Sequence, residues 1–189
     1  GLEKNLKQDI EIISAIRPPA YPQYKDLRVK NKTFSHNGSS TNISVGFFNI
    51  KYFSHLFRTH ELKVQAKKWA NTNKHGEVII FVYSLHSPFL NAALTIKRII
   101  PTSKIVVIIP DLPLNMDMSS ALQRLFKRVD WNKIKKLIQN VDKFILYTKH
   151  MAEYLKLKHN QWLVIEGLID ERKFNNTSLL PKYKKSICV

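Results

Sequence analysis

From Val78 onward the chain alternates short runs of uninterrupted apolar residues with longer stretches in which apolar positions return at helical spacing. The runs Val78-Ile79-Ile80-Phe81-Val82-Tyr83, Lys104-Ile105-Val106-Val107-Ile108-Ile109, Lys143-Phe144-Ile145-Leu146-Tyr147 and Trp162-Leu163-Val164-Ile165 are rich in β-branched and aromatic residues, and each predicts a strand. The first two lack polar alternation, which is the pattern of strands buried on both faces. Between them, Ser87-Pro88 supplies an N-cap and a first-turn proline for a helix bearing Ala92, Ala93, Ile96, Ile99 and Ile100, and Pro101 ends it. A further helix is predicted from about Met118 to Asn140, with Ser120-x-x-Gln123 as a capping box and Leu122, Leu125, Phe126, Val129, Leu137 and Ile138 near one buried stripe. Thr148 caps a shorter helix running to about Lys158. Such β-α units in series predict an α/β domain: a Rossmann-like, doubly wound, mostly parallel sheet with helices on both faces.

The first 76 residues are less regular. Leu2 and Leu6 suggest the tail of a helix, and Ile10 to Ile16 reads as a strand that Arg17-Pro18-Pro19 terminates. Short alternating stretches at Leu27 to Lys32 and Asn42 to Phe47 predict two strands, with a turn at His36-Asn37-Gly38-Ser39. Ser54 can cap a helix through about Asn73, with Phe53, Leu56, Phe57 and Val64 near its apolar face and Gly76 marking its end.

Composition narrows the function classes. The apolar runs fall far short of the roughly 20 residues that a membrane-spanning helix needs. No apolar stretch follows Gly1-Leu2-Glu3-Lys4, so no secretory signal is read, and the lone thiol of Cys188 has no internal disulfide partner; both fit the cytoplasm. The histidines and that cysteine show no metal-ligand spacing, and no metal is expected. The formal net charge of +17, from 31 Lys+Arg against 14 Asp+Glu, asks for an anionic partner: lipid, nucleic acid or a phosphorylated substrate. An evenly basic soluble surface would also carry such a charge. The helix after Asp111 concentrates it. Arg124, Lys127, Arg128, Lys133, Lys135 and Lys136 stand against the single acid Asp130, and Trp131 is available as an interfacial anchor. Arg124, Lys127, Arg128, Trp131 and Lys135 are the residues expected to meet an anionic membrane, the plainer reading being a core-packed helix with a solvated basic face.

In a parallel sheet wound with helices, ligands bind beyond the carboxyl ends of the strands. That rule selects Ser14 and Arg17, then Tyr83, Ser84 and His86, then Asp111, Leu112 and Pro113, then Thr148 and Lys149, and last Glu166 and Gly167. Asp111 and His86 are the candidate catalytic residues. A carboxylate held between Pro110 and Pro113 is oriented before a ligand arrives, although Asp is also an ordinary turn residue. His86 precedes a helix N-terminus, whose positive end would keep the imidazole neutral and able to accept a proton; an ordinary surface histidine is the alternative. Tyr83, Ser84, Leu112, Pro113, Thr148, Lys149, Glu166 and Gly167 are candidates for holding an acceptor, with Thr148 equally explained as an N-cap and Gly167 as a turn. Neither G-x-G-x-x-G nor G-x-x-x-x-G-K-[ST] occurs, which argues against a nicotinamide enzyme and a P-loop ATPase.

The ordered phrases Ile80-Phe81-Val82-Tyr83-Ser84, Asp111-Leu112-Pro113-x-x-Met116, Val141 through Met151 and Val164-Ile165-Glu166-Gly167 resemble the N-terminal half of bacterial family-four glycosyltransferases of the capsule and exopolysaccharide type. The likeness is most specific from Val78 to Phe174 and weak between Tyr21 and Asn73, and Asp170 and Phe174 each come one residue later than is commonest in that family. It implies one half of a GT-B architecture: a first Rossmann-like domain, residues 1–176, that grips the acceptor, followed by a linker and the start of a nucleotide-sugar domain at 177–189. It also implies a strand and a Gly-containing loop ahead of the opening helix. A fragment of this kind is expected to be inactive alone. The implied reaction is metal-free, retaining transfer from a nucleotide sugar, with a UDP-sugar as the first expectation, to a saccharide or polyprenyl-diphosphate-linked acceptor. The donor would occupy the second domain, so no cofactor is expected in this one. The implied place is peripheral, at the inner face of the cell membrane. Two other classes remain: a non-catalytic partner of a separate donor-binding chain, and a basic nucleic-acid-binding module. No helix-turn-helix, zinc-finger or RNA-recognition signature supports the module, and no nucleic acid is expected.

Overall fold

The computed structural model describes residues 10–36, 40–74, 77–112 and 121–165. In the N-terminal part, β1 (Ile13–Ser14), β3 (Lys32–His36) and β4 (Ser40–Ser44) form a small sheet of order β1-β4-β3, with β1 parallel and β3 antiparallel to β4. A separate antiparallel pair joins β2 (Arg28–Val29) to β5 (Phe47–Phe48). These strands are shorter than the sequence predicts, and buried amides brace the coil around them. Asn42 accepts the Ile12 backbone N–H at 2.7 Å, and Asn49 donates to the Pro19 carbonyl at 2.6 Å. Both asparagines are buried, where an unmatched amide would be costly.

Helix α1 (Ser54–Thr72) follows, close to its predicted bounds. Its buried face is not the predicted one. Phe53, Leu56 and Phe57 are exposed, and Thr59, Leu62, Ala66 and Ala70 are buried instead. Leu62, Ala66 and Ala70 recur every four residues and pack on Ala92, Ile96 and Ile100, which repeat the same spacing in and just beyond α2 (Ser87–Ile99). Ala66 and Ala70 on one ridge and Ala92 on the other keep side-chain volume between the two helices small. Trp69 at the far end of α1 donates its indole N–H to Glu11 at 2.6 Å and ties the helix to the start of the chain.

The main sheet is β6 (Ile79–Tyr83), β7 (Lys104–Ile109), β8 (Lys143–Leu146) and β9 (Trp162–Val164), parallel throughout and ordered as in the sequence. The chain is thus α/β, a four-stranded parallel sheet flanked by helices, consistent with a Rossmann-like fold. Right-handed crossovers that always step the same way put every connecting helix on one face. Accordingly α2, α3 (Ala121–Leu137) and α4 (Lys149–Leu155) bury Val82, Ile105, Val107, Ile109, Phe144 and Leu146 together with Leu90, Ile134, Ala152 and Leu155. On the opposite face Ile79, Phe81 and Tyr83 are exposed, as is Leu163, so the apolar run of β6 is not buried on both sides as its composition predicts. Asp142, just before β8, is held by the Ile105 backbone N–H at 2.8 Å and by Lys97 of α2. Burial acts to raise its pKa, but those two partners outweigh burial and hold it low.

The predicted stripe of α3 also needs correction. Leu125, Phe126 and Val129 are exposed, whereas Ile138 is buried and Leu137 packs partly against the core as expected, joined there by Ile134 and Trp131. The capping box proposed at Ser120 and Gln123, and the turn at Asn37-Gly38-Ser39, lie outside the residues whose side chains are described. No helix among the described residues is long and apolar enough to cross a membrane.

Candidate functional site at the carboxyl edge of the sheet

Parallel pairing sets Tyr83, Ile108, Ile145 and Leu163 at one level, so the residues after them share the carboxyl edge. At the end of β6 the chain turns sharply. Ser84 takes the left-handed conformation, φ 70°, and its N–H still bonds to the Ile108 carbonyl at 2.8 Å. His86 then serves as the N-cap of α2, its carbonyl accepting Leu90 N–H at 3.1 Å. The predicted N-cap Ser87 is therefore the first helical residue, and its hydroxyl is free for another task. Ser84 contributes backbone shape at this turn.

His86 is half-buried, and its pKa is lowered by that burial first and then by Arg17 and Arg58; Asp130 and Asp111 pull the other way. Arg17 follows β1 and Asp111 follows β7, and the charge of each is felt at His86. Arg58 was not anticipated. It lies one turn into α1, its guanidinium 5.9 Å from the centre of the Phe47 ring, and burial together with Arg17 pulls its pKa down to about 10. It remains a cation at neutral pH. Among the described residues its buried Nε has no hydrogen-bond partner.

Beside this cluster, Ser87, His55 and Asp130 meet. The fully buried Ser87 hydroxyl donates to Asp130 Oδ1, and His55 Nε2 lies 3.1 Å from Ser87 Oγ and 3.3 Å from Asp130 Oδ1. The residue types are those of a hydrolase triad, but the geometry is not. In a relay the imidazole stands between serine and carboxylate and uses both ring nitrogens. Here a single nitrogen faces both partners, and the serine proton is already committed to the carboxylate. The group is a clasp joining α1, α2 and α3 beneath the edge. Burial would raise the Asp130 pKa, yet the His55 and Ser87 hydrogen bonds hold it below the usual carboxylate value.

The remaining predicted residues are dispersed. Tyr83 is 65% exposed and lies on the sheet face that none of the described helices covers. Asp111 is exposed at the end of a described segment, and Leu112 packs partly against the main core. Thr148 and Lys149 are exposed at the start of α4, where Thr148 makes no side-chain cap bond. Pro113, Glu166 and Gly167 lie outside the described residues. Of the basic set on α3, Arg124, Arg128 and Lys135 are exposed, Lys127 is half-buried, and Trp131 turns inward beside Tyr154, with ring centres 6.0 Å apart. A contact the sequence did not suggest stacks Phe126 of α3 on Tyr52 just ahead of α1, at 6.1 Å. Phe53 and Leu56 on one side, and Leu125 and Val129 on the other, are exposed near this stack.

Sequence reasoning missed His55, Arg58, Ser87 and Asp130 because they come from helices, whereas the rule applied looked only at strand ends. One signal was present: Asp130 is the lone acid of a strongly basic helix, and an isolated carboxylate in that setting invites a search for its partners. No protein-family model matches the chain, and no curated protein matches it either.

Proposed function

We propose that this chain is the acceptor-side half of a GT-B-type glycosyltransferase, gripping a saccharide or lipid-linked acceptor while a second domain presents a nucleotide sugar. The observation that carries the reading is the place of His86, at the turn beyond β6 on the carboxyl edge of a parallel sheet, where folds of this kind bind ligands and where the charges of Arg17, Arg58 and Asp111 are felt. Its likeness to family-four sugar-transfer enzymes supplies the reaction class. Because burial and two nearby arginines disfavour the imidazolium, His86 is neutral at pH 7 and can accept a hydrogen bond from an acceptor hydroxyl. Asp111 would orient the same hydroxyl from the neighbouring loop. The test is transfer from UDP-sugars to extracted lipid acceptors by this chain joined to a donor-binding domain. Loss of about 100-fold or more in His86→Ala or Asp111→Asn is expected for groups acting on the reacting hydroxyl. Absence of transfer, or unchanged rates in both variants, ends the reading.

The face of β6 and β9 that no described helix covers favours a second reading, in which the chain is a non-catalytic subunit and another polypeptide covers Ile79, Phe81, Tyr83 and Leu163. Co-purification with a donor-binding chain that is abolished by Phe81→Asp distinguishes this from the first.

A further inference from the structure

Among the described residues β6 is an edge strand, yet it has no charge and no proline to blunt that edge. Its hydrogen bonds to β7 fix which groups look outward. Lys104 N–H bonds to the Val78 carbonyl and Ser84 N–H to the Ile108 carbonyl, so the even-numbered residues serve the ladder. Ile79, Phe81 and Tyr83 therefore turn both N–H and C=O to the open side. Strand β1 is also an edge. The Ile12 and Ser14 carbonyls accept N–H groups from the β4 side, which leaves the backbone of Ile13 and Ala15 facing away from it.

The two open edges stand over one floor. Ile13 and Ala15 at β1, and Val78 and Ile80 at β6, pack on the same cluster of α1 and α2 that holds Leu62 and Ile96. All four are only half-buried, whereas Ile105, Val107 and Ile109 of β7, which has a strand on either side, are fully buried. Helix α1 lies against β1, and α2 against β6. Packed helices stand about 8–10 Å apart and paired strands about 4.8 Å apart, so one helix spacing equals about two strand spacings and leaves room for a single strand between the edges. A second copy of the chain would bring a whole sheet to a place where β1 and α1 already stand. Outside the described residues the longest uninterrupted apolar run is Ile187-Cys188-Val189, shorter than the five residues of β6, so the chain has no matching strand of its own to offer. Neither Ile12 to Ile16 nor Ile79 to Tyr83 carries a charge that a charged segment could pair with.

We infer that the gap between β1 and β6 is a strand-binding slot, taking one extended, uncharged apolar segment of another polypeptide that bonds to the outward backbone groups of Ile79, Phe81 and Tyr83. It requires neither reading of function given above.

The experiment adds two synthetic peptides to the full 189-residue chain. One alternates valine and isoleucine over the length of β6 between glutamates that keep it in solution; the other is the same peptide N-methylated at every amide, which keeps its side chains and charges and has no backbone donors. Saturable binding of the first is expected, about tenfold weaker or more for the methylated peptide and for Phe81→Pro. The proline removes an outward N–H that β7 does not use, a position where edge strands tolerate it. On saturation the Phe81 and Tyr83 amides should exchange about tenfold more slowly, and the Val82 amide, already directed to β7, should change less. Absent binding, equal binding of the two peptides, or Phe81 exchange that ignores the peptide overturns the slot. So does slow Phe81 exchange in the chain alone, which means that a second copy or the chain's own ends already cover the edge. Should Phe81→Pro fail to fold by circular dichroism, the two peptides decide with the unchanged chain. Sugar transfer enters none of these outcomes, so failure of the slot leaves the transfer reading as it stands, and failure of transfer leaves the slot.

Discussion

Asp130 shows how a single carboxylate can govern three helices. It accepts the proton of a buried serine and faces the Nε2 of His55, so Asp130→Asn replaces a charge-assisted pair of contacts by a neutral amide. A loss of about 1–3 kcal/mol is expected, read as a lower urea midpoint with unchanged slope. The pH dependence follows from the signs of the shifts. Asp130 has a lowered pKa in the fold, so its stabilisation is complete above the ordinary carboxylate value of 3.8 and is lost as pH falls through the lower, folded one. His86 is also lowered, but it is a base: the unfolded chain takes up the proton first, below the ordinary value of 6.5, and stability declines from there. Urea midpoints between pH 7.5 and 3 should therefore fall in two stages. The upper stage shrinks in His86→Gln and the lower in Asp130→Asn. A midpoint that stays flat from pH 7.5 to 5 in the unchanged chain contradicts the first assignment.

At the scale of elements, the packing of α1 on α2 depends on Ala66, which is fully buried against the α2 ridge of Ala92, Ile96 and Ile100. Ala66→Leu would force side-chain volume between two closely apposed helices, at a cost of about 1–3 kcal/mol; a thermal midpoint unchanged by the substitution would show that the ridges are looser than described. Such elements differ in how much of them could be read in advance. Strand β7 has its predicted bounds because Pro101 and Pro110 bracket a run of one chemical character, and α1 ends within a residue of the expected position. What could not be read is which face each element buries. Phe53, Leu56, Leu125 and Phe126 have the composition of a core, but burial depends on which helices the crossovers place beside them, and all step to one face of the sheet. The N-terminal strands were blurred for a related reason. With two to five residues each they show too few alternations for a period, and buried asparagines join single buried residues such as Val29, Val45 and Phe47 in holding them. The same limit governed the site, where His86 and Asp111 were legible from strand order while Arg58 and Asp130 depended on how helices lie across the edge.

For the whole molecule, the net charge of +17 and the misassigned apolar residues are one problem. Of the side chains expected in the core of α1 and α3, Phe53, Leu56, Leu125 and Val129 are exposed and lie within four residues of the stacked Tyr52 and Phe126, and Lys51, Arg124 and Arg128 are exposed beside them in sequence. Exposed aromatic and aliphatic groups with basic neighbours match an anionic lipid surface: the apolar groups enter the interface and the cations meet headgroups. Both halves of this pairing can be separated. Each basic residue near a charged membrane contributes on the order of 1 kcal/mol, so Arg124→Gln with Lys127→Gln and Arg128→Gln should weaken vesicle binding about 100-fold at low salt. That loss should narrow as salt rises, because exposed charges are screened over about 10 Å at 0.1 M. Phe126→Ser with Leu56→Ser should instead weaken binding at every salt concentration, since burial of apolar area is not screened. Vesicle binding that depends on charge alone, with the serine variant indistinguishable from the unchanged chain, would reduce this surface to a generally basic one and leave its exposed aromatics to a protein partner.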